Sequence, residues 1–147
     1  MDLTLHNGIA GIWAGVSLGG ALIAAPAKFT VASLTLPVAL EVGRAQFHWT
    51  GMAEIALCLL LIGSLFRFKK PQWYWIALPV SILVIQQLFL MPLLNERTDL
   101  ITAGGAASPN SIHVIYIVLE IIKCLSLALL AIGYFKIENH DENNQET

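Results

Sequence analysis

Residues 110–127 read NSIHVIYIVLEIIKCLSL. Most of the stretch is apolar enough to sit in lipid, yet it carries His113, Tyr116, Glu120 and Lys123. Their spacings of three, four and three residues place all four on one face of a helix, at about 100° per residue. Ionisable groups in an apolar helix are costly, so they normally face other helices or water. A helix of this kind belongs in a bundle of membrane-spanning helices, with its stripe turned inward.

The rest of the chain agrees. Of 147 residues, 56% are hydrophobic and only 12% charged, about half the charged fraction of an ordinary soluble domain, roughly 25%. A soluble domain of this length has no room to bury several apolar helices of spanning length. The fold expected is all-α: a polytopic membrane protein forming a four-transmembrane-helix bundle. Its helices are placed at about 8–29, 38–66, 72–101 and 111–135. The acidic segment 137–147 reads as a disordered tail, with His140 solvated in it. No basic cluster points to nucleic acid; the partner implied is the lipid bilayer.

Punctuation and flanks fit this division. Trp49 and Trp73-Tyr74-Trp75 are placed like interfacial aromatics. Pro79 is expected to kink the third span, and Gly104-Gly105 to end it. Met1–Asn7 contains no Lys or Arg, so the first span reads as a retained helix despite the small residues at Ala25-Pro26-Ala27. Cys58 and Cys124 each lie in an apolar segment; buried free thiols are the simplest reading, with a thiol pair or soft-metal ligand as the alternative. An even number of spans puts both termini on one side. That side holds Arg67, Lys69, Lys70 and Lys136, against Lys28, Arg44 and Arg97 on the other. The positive-inside bias therefore makes the termini cytoplasmic, in what is expected to be a bacterial cytoplasmic membrane.

Gly11, Gly15 and Gly19 recur every four residues, a small-residue ridge that lets another backbone approach closely. Packing within the bundle is the expected use. A second subunit, a membrane-complex partner or a flat cofactor are the alternatives.

In this topology the second and fourth helices run in the same direction. Glu54, the Gln86-Gln87 pair and Glu120 then fall at similar depth, in the outer half of the bundle. Glu54, Gln87, Tyr116, Glu120 and Lys123 are expected to line one polar cavity there, where pairing offsets the cost of burial. Glu120 and Lys123 are also spaced for an ion pair within their own helix. On the second helix, Glu41, Arg44 and His48 share a side that continues to Met52, while Glu54 lies about 120° from His48. A solvated helix end explains that side. Alternatively His48 with Met52, or His48 with His113, forms a ligand set for haem, iron or copper. The second and fourth helices also echo each other: His48-x5-Glu54-x3-Cys58 against His113-x6-Glu120-x3-Cys124, the trace a duplicated hairpin leaves. No Walker loop, Rossmann fingerprint, HExxH, CxxC or GxSxG occurs, and Ser17 and Ser126 have no base near them in sequence.

Several of these residues resemble those of small four-helix membrane families. Trp13 in a small-residue first helix, Phe47-His48, Glu96-Arg97-Thr98-Asp99 and His113 are together similar to the family of the cisplatin-resistance-associated transmembrane protein, a resemblance that spans most of the chain and implies the same layout without an activity. Leu5-His6 followed by Trp13-Ala14-Gly15 resembles CopD-type copper-resistance and HemJ-type haem-biosynthesis proteins, which implies a histidine tied to metal or haem. Ala25-Pro26-Ala27-Lys28-Phe29 resembles anthrone-oxygenase-like membrane proteins.

Three functions are compatible with this reading. The first is a membrane protein whose outer-half polar site binds haem or a metal ion through His48 and His113, with Met52 as a further ligand. The second is proton-coupled transport or efflux of a small molecule through the polar cavity. The third is an accessory subunit of a larger membrane complex. Whether the chain is an enzyme stays open.

Overall fold

Two prolines decide the shape of two helices. Proline lacks an N–H, and its ring clashes with the carbonyl four residues earlier in a regular α-helix. Pro26 and Pro92 each follow shortly after a segment in which the helix widens to π geometry, and the wider turn gives that carbonyl room. A computed structural model of the chain describes residues 2–67, 73–105 and 111–133, with side chains described over 5–64, 75–105 and 111–133.

Helix α1 starts at Asp2–Ser17, widens over Leu18–Ala24, and closes through Ala25–Ala27 and a 3-10 turn at Lys28–Thr30. Helix α2 is continuous over Leu36–Arg67, with Pro37 in its first turn, where a missing N–H costs nothing. Helix α3 runs as Trp73–Ile85, the widened segment Gln86–Leu90, and Met91–Thr102. Helix α4 is Ile112–Ala131. Glycines in the left-handed region follow the last two helices, Gly104 at φ 83° and Gly133 at φ 70°, a conformation that is nearly free only for glycine.

All four helices are long and apolar enough to cross a membrane, so the all-α membrane-bundle expectation holds. The first helix begins at Asp2 rather than Gly8, and the last ends at Ala131 rather than 135. Phe68 to Pro71 of the basic turn, residues 134–135 of the expected fourth span and the acidic tail lie outside the described residues. At 32 residues α2 is about 48 Å long, well beyond the roughly 30 Å of a hydrocarbon core. Its charged first turns, with Glu41 and Arg44, lie at the end free to project.

Each helix packs against its sequence neighbours, and α1 also packs on α4. The result is an up-down-up-down ring with α2 and α4 on one diagonal. Its core has two apolar clusters. Ala10, Trp13, Cys58, Leu61, Ile76, Leu83 and Leu127 form the one toward the termini. Ala21, Leu90, Met91 and Tyr116 form the other, with Phe47 and Leu119 against them. Outward, residues such as Leu59, Leu60, Leu88, Phe89 and Leu125 are exposed, as lipid contact requires.

The glycine ridge is not what closes the bundle. An added Cβ would meet nothing at Gly15 or Gly19, and at Gly11 only ordinary contact with Ala131. Trp13 and Ser17 are buried and set the inner face of α1, which turns Gly15 and Gly19 away from it. The tight crossings occur at Gly20, where a Cβ would fall 2.8 Å from Thr50, and at Gly51, packed against the amide of Gln87.

Candidate functional site

Between the two apolar clusters every helix contributes a buried polar side chain: Ser17 from α1, Glu54 from α2, Gln86 from α3, Glu120 and Lys123 from α4. The order along each chain fixes their common level. Ser17 lies between Trp13 and Ala21, Glu54 between Phe47 and Cys58, and Gln86 between Leu83 and Leu90. Glu120 and Lys123 lie between Tyr116 and Leu127.

Lys123 is the hub and is 0% exposed. Its ammonium donates to both oxygens of Glu54, at 2.9 and 2.8 Å, and to Oε1 of Gln86 at 3.0 Å. It also ion-pairs with Oε2 of Glu120 at 3.1 Å, the expected pairing within α4. Gln86 Nε2 donates to the same Glu120 oxygen at 2.8 Å, and Ser17 Oγ donates to Glu54 Oε1. The Lys123–Glu54 pair spans the diagonal of the bundle, so a charge pair ties together two helices that are not ring neighbours. In lipid, packing and interhelical polar contacts replace the hydrophobic drive between helices.

Among the described residues three buried side-chain atoms have no hydrogen-bond partner, Trp13 Nε1, Arg44 Nε and Glu120 Oε1, and the last belongs to the layer. One ammonium facing two ionised carboxylates leaves one negative charge in excess, which a buried site neutralises with a proton, a cation or a ligand donor.

Glu120 also lines a cavity of about 590 Å³ on the side of the layer away from the termini, within the usual range for small-molecule sites, roughly 300–1,000 Å³. The walls are mainly apolar and aromatic, including Phe29, Phe47, Met91 and Tyr116. Its polar groups are Lys28, Arg44, Asn95, Arg97, Thr98 and His113, besides Glu120 itself. Arg44 is engaged with the Asp99 carboxylate and, at 2.9 Å, the Asn95 carbonyl. Lys28 holds its ammonium 5.2 Å from the Phe29 ring centre and 5.4 Å from that of Phe47. Neither Lys28 nor Arg97 has an ion pair among the described residues.

The anticipated residues divide accordingly. Glu54, Glu120 and Lys123 come together in the layer, with Tyr116 just above it, edge-on to Phe47 at 5.3 Å. Gln87 does not join them: it packs on Gly51, and Gln86 takes the position at the layer. His113 lines the cavity; His48 and Met52 do not. The inner face of α2 runs through Leu40, Gly43, Phe47, Gly51 and Glu54, about 100° round from His48. His48 is therefore exposed, edge-on to Trp49, and Met52 is 53% exposed. Among the described residues no three His, Cys, Asp or Glu side chains gather as a metal would need, so the haem or metal reading draws no support from the geometry. Cys58 and Cys124 are free.

Of the layer's side chains Ser17 was not anticipated, and Gln86 was placed at the right depth while Gln87 was taken for the cavity. The run Ile76, Pro79, Leu83, Gln86, Leu90, at steps of three and four, is the buried stripe of α3, a face that hydropathy does not mark because the helix is apolar all round. Ser17 carried no signal beyond its place four residues after Trp13. No family model, curated protein or solved structure matches the chain.

Proposed function

We propose that the protein is a small membrane transporter or binding protein for a small molecule that enters the cavity and exchanges charge with Glu120. The observation that supports this is that Glu120, whose Oε1 is buried with no partner among the described residues, lines a ligand-sized cavity, while the other polar side chains of the layer are satisfied. A carboxylate in that position can hold a proton when the cavity is empty and release it when a ligand donor arrives, which is the coupling a proton-driven carrier needs. Lys123 and Gln86 fix the other oxygen, so the exchange is confined to one side of the group. By the positive-inside bias the cavity opens toward the outer face and the termini are cytoplasmic.

The test is proton movement in proteoliposomes carrying an internal pH dye, challenged with a panel of anionic, neutral and cationic amphiphiles. Wild-type vesicles should show substrate-dependent proton flux. Glu120→Gln, which keeps the shape and the hydrogen bonds to Gln86 and Lys123, should abolish it. Flux untouched by that substitution would remove Glu120 from the reading.

A second arrangement is favoured by one observation. Gly15 and Gly19 face open space on α1, so a second copy or another membrane subunit can approach there. Gly15→Leu would then lower a dimer or complex to monomer in cross-linking; an unchanged cross-linking pattern counts against it.

A further inference from the structure

The cavity is charged asymmetrically. Toward the loops it carries Lys28, Arg97 and His113, and the one carboxylate among the described lining residues, Glu120, lies at the inner end. Lys28 and Arg97 lie close enough for their charges to act on the His113 ring, so two positive charges and an imidazole meet at one rim. Arg44 stands beside them, already neutralised by Asp99. Lys28 is built into the wall. Its ammonium lies between the Phe29 and Phe47 rings, and a Cβ at Gly43 would overlap it. Half-buried cations such as Lys28 and Arg97, with no ion pair among the described residues, are costly in an apolar setting unless an anion arrives. Arg with Lys suits a carboxylate or phosphate. His113 and Glu120 are seven residues apart on α4, which separates the rim from the position of Glu120 by about 10 Å along the helix. The wall between is apolar.

From this placement we infer that the ligand is a bipolar amphiphile. It carries a carboxylate or phosphate at the Lys28–Arg97–His113 rim, an apolar body along Phe47, Met91 and Tyr116, and a hydrogen-bonding group at Glu120. The inference rests on the cavity being a binding site, and deepens that reading by naming the chemistry that fills it. It does not depend on transport. A free amphiphile and the anionic headgroup of a membrane lipid share this chemistry.

The experiment is equilibrium binding of labelled ω-hydroxydecanoate to the full chain in phosphatidylcholine nanodiscs, with empty discs as background. Saturable one-to-one binding is expected, with none for decyltrimethylammonium. The Lys28→Gln/Arg97→Gln double variant should weaken binding by roughly tenfold or more. Arg97→Glu, a change at a partly exposed side chain, should shift preference toward the cationic amphiphile, and this gain separates charge recognition from misfolding. Repeating the titration in phosphatidylglycerol discs distinguishes the sources: displacement of the probe assigns the rim to a lipid headgroup, and retention assigns it to a free amphiphile. Absence of saturable binding, equal binding of the cation, or indifference to both rim variants overturns the inference. Binding without proton flux would instead leave it standing and remove the transport reading, whereas proton flux driven only by cationic or neutral amphiphiles would do the reverse.

Discussion

Lys123 is the residue on which the bundle turns. Its three donors are spread over Glu54, Gln86 and Glu120, which is its full hydrogen-bonding capacity. Removing one member of a buried charge network strands its partners, which commonly destabilises by roughly 3–5 kcal/mol. Lys123→Met is therefore expected to lower the midpoint of denaturant unfolding in mixed micelles by an amount on that scale, and adding Glu54→Gln should recover part of the loss, because the two sites share one interaction. An unchanged midpoint in the single variant would mean that the network does not hold the helices. Glu120→Gln, by contrast, should fold normally, since an amide oxygen accepts from Gln86 and Lys123 as a carboxylate does. The stripe from His113 to Lys123 was legible in sequence because ionisable residues stand out in an apolar helix. Ser17 was not, because a neutral polar residue raises no such alarm, and the choice of Gln86 over Gln87 was not, because in a helix apolar all round nothing marks which side is inward.

At the scale of the element, α1 shows how a local distortion sets a face. Ala10, Trp13, Ser17, Ala21 and Ala25 are buried in succession. The steps from Trp13 to Ala25 are all of four residues. In a regular α-helix each such step drifts by about 40°. The widened turn at Leu18–Ala24 absorbs that drift and keeps Ala21 and Ala25 over the cavity. Close approach to α2 then falls on Gly20 rather than on the regular glycine ridge. The contrast is measurable. Gly20→Ala pushes a Cβ into the stiff Thr50 side chain and should be destabilising. Gly15→Ala enters open space and should be neutral or stabilising by up to about 1 kcal/mol, through the better helix propensity of alanine. Thermal unfolding of the two variants side by side decides the matter: equal shifts would put the crossing elsewhere. The prolines that force the distortions were visible in sequence, but the widened turns upstream of them were not, since Pro79 sits within α3 without one.

For the whole molecule, four antiparallel spans place the 31–35 connection and the end of α3 at the same end of the bundle. Ser33→Cys and Ala103→Cys, made in a Cys58→Ala/Cys124→Ala background, should both react with an impermeant maleimide added to intact cells; labelling of only one of them would break the topology. Apolar character in four long segments was sufficient by itself to specify helices, number of spans and the all-α class, because a continuous apolar run of that length can satisfy its backbone hydrogen bonds in a bilayer within itself only as a helix, while barrel strands are short and alternate. It also supplied the presence of a polar stripe, because buried charge needs partners. Only the tertiary structure decided which partners. That choice depends on the rotation of each helix about its axis, set by packing at Trp13, Gly20 and Gly51 and by the widened turns before Pro26 and Pro92, none of which follows from hydropathy. Those rotations send His48 outward and His113 to the cavity wall, bring Gln86 rather than Gln87 to Lys123, and leave one oxygen of Glu120 without a partner among the described residues.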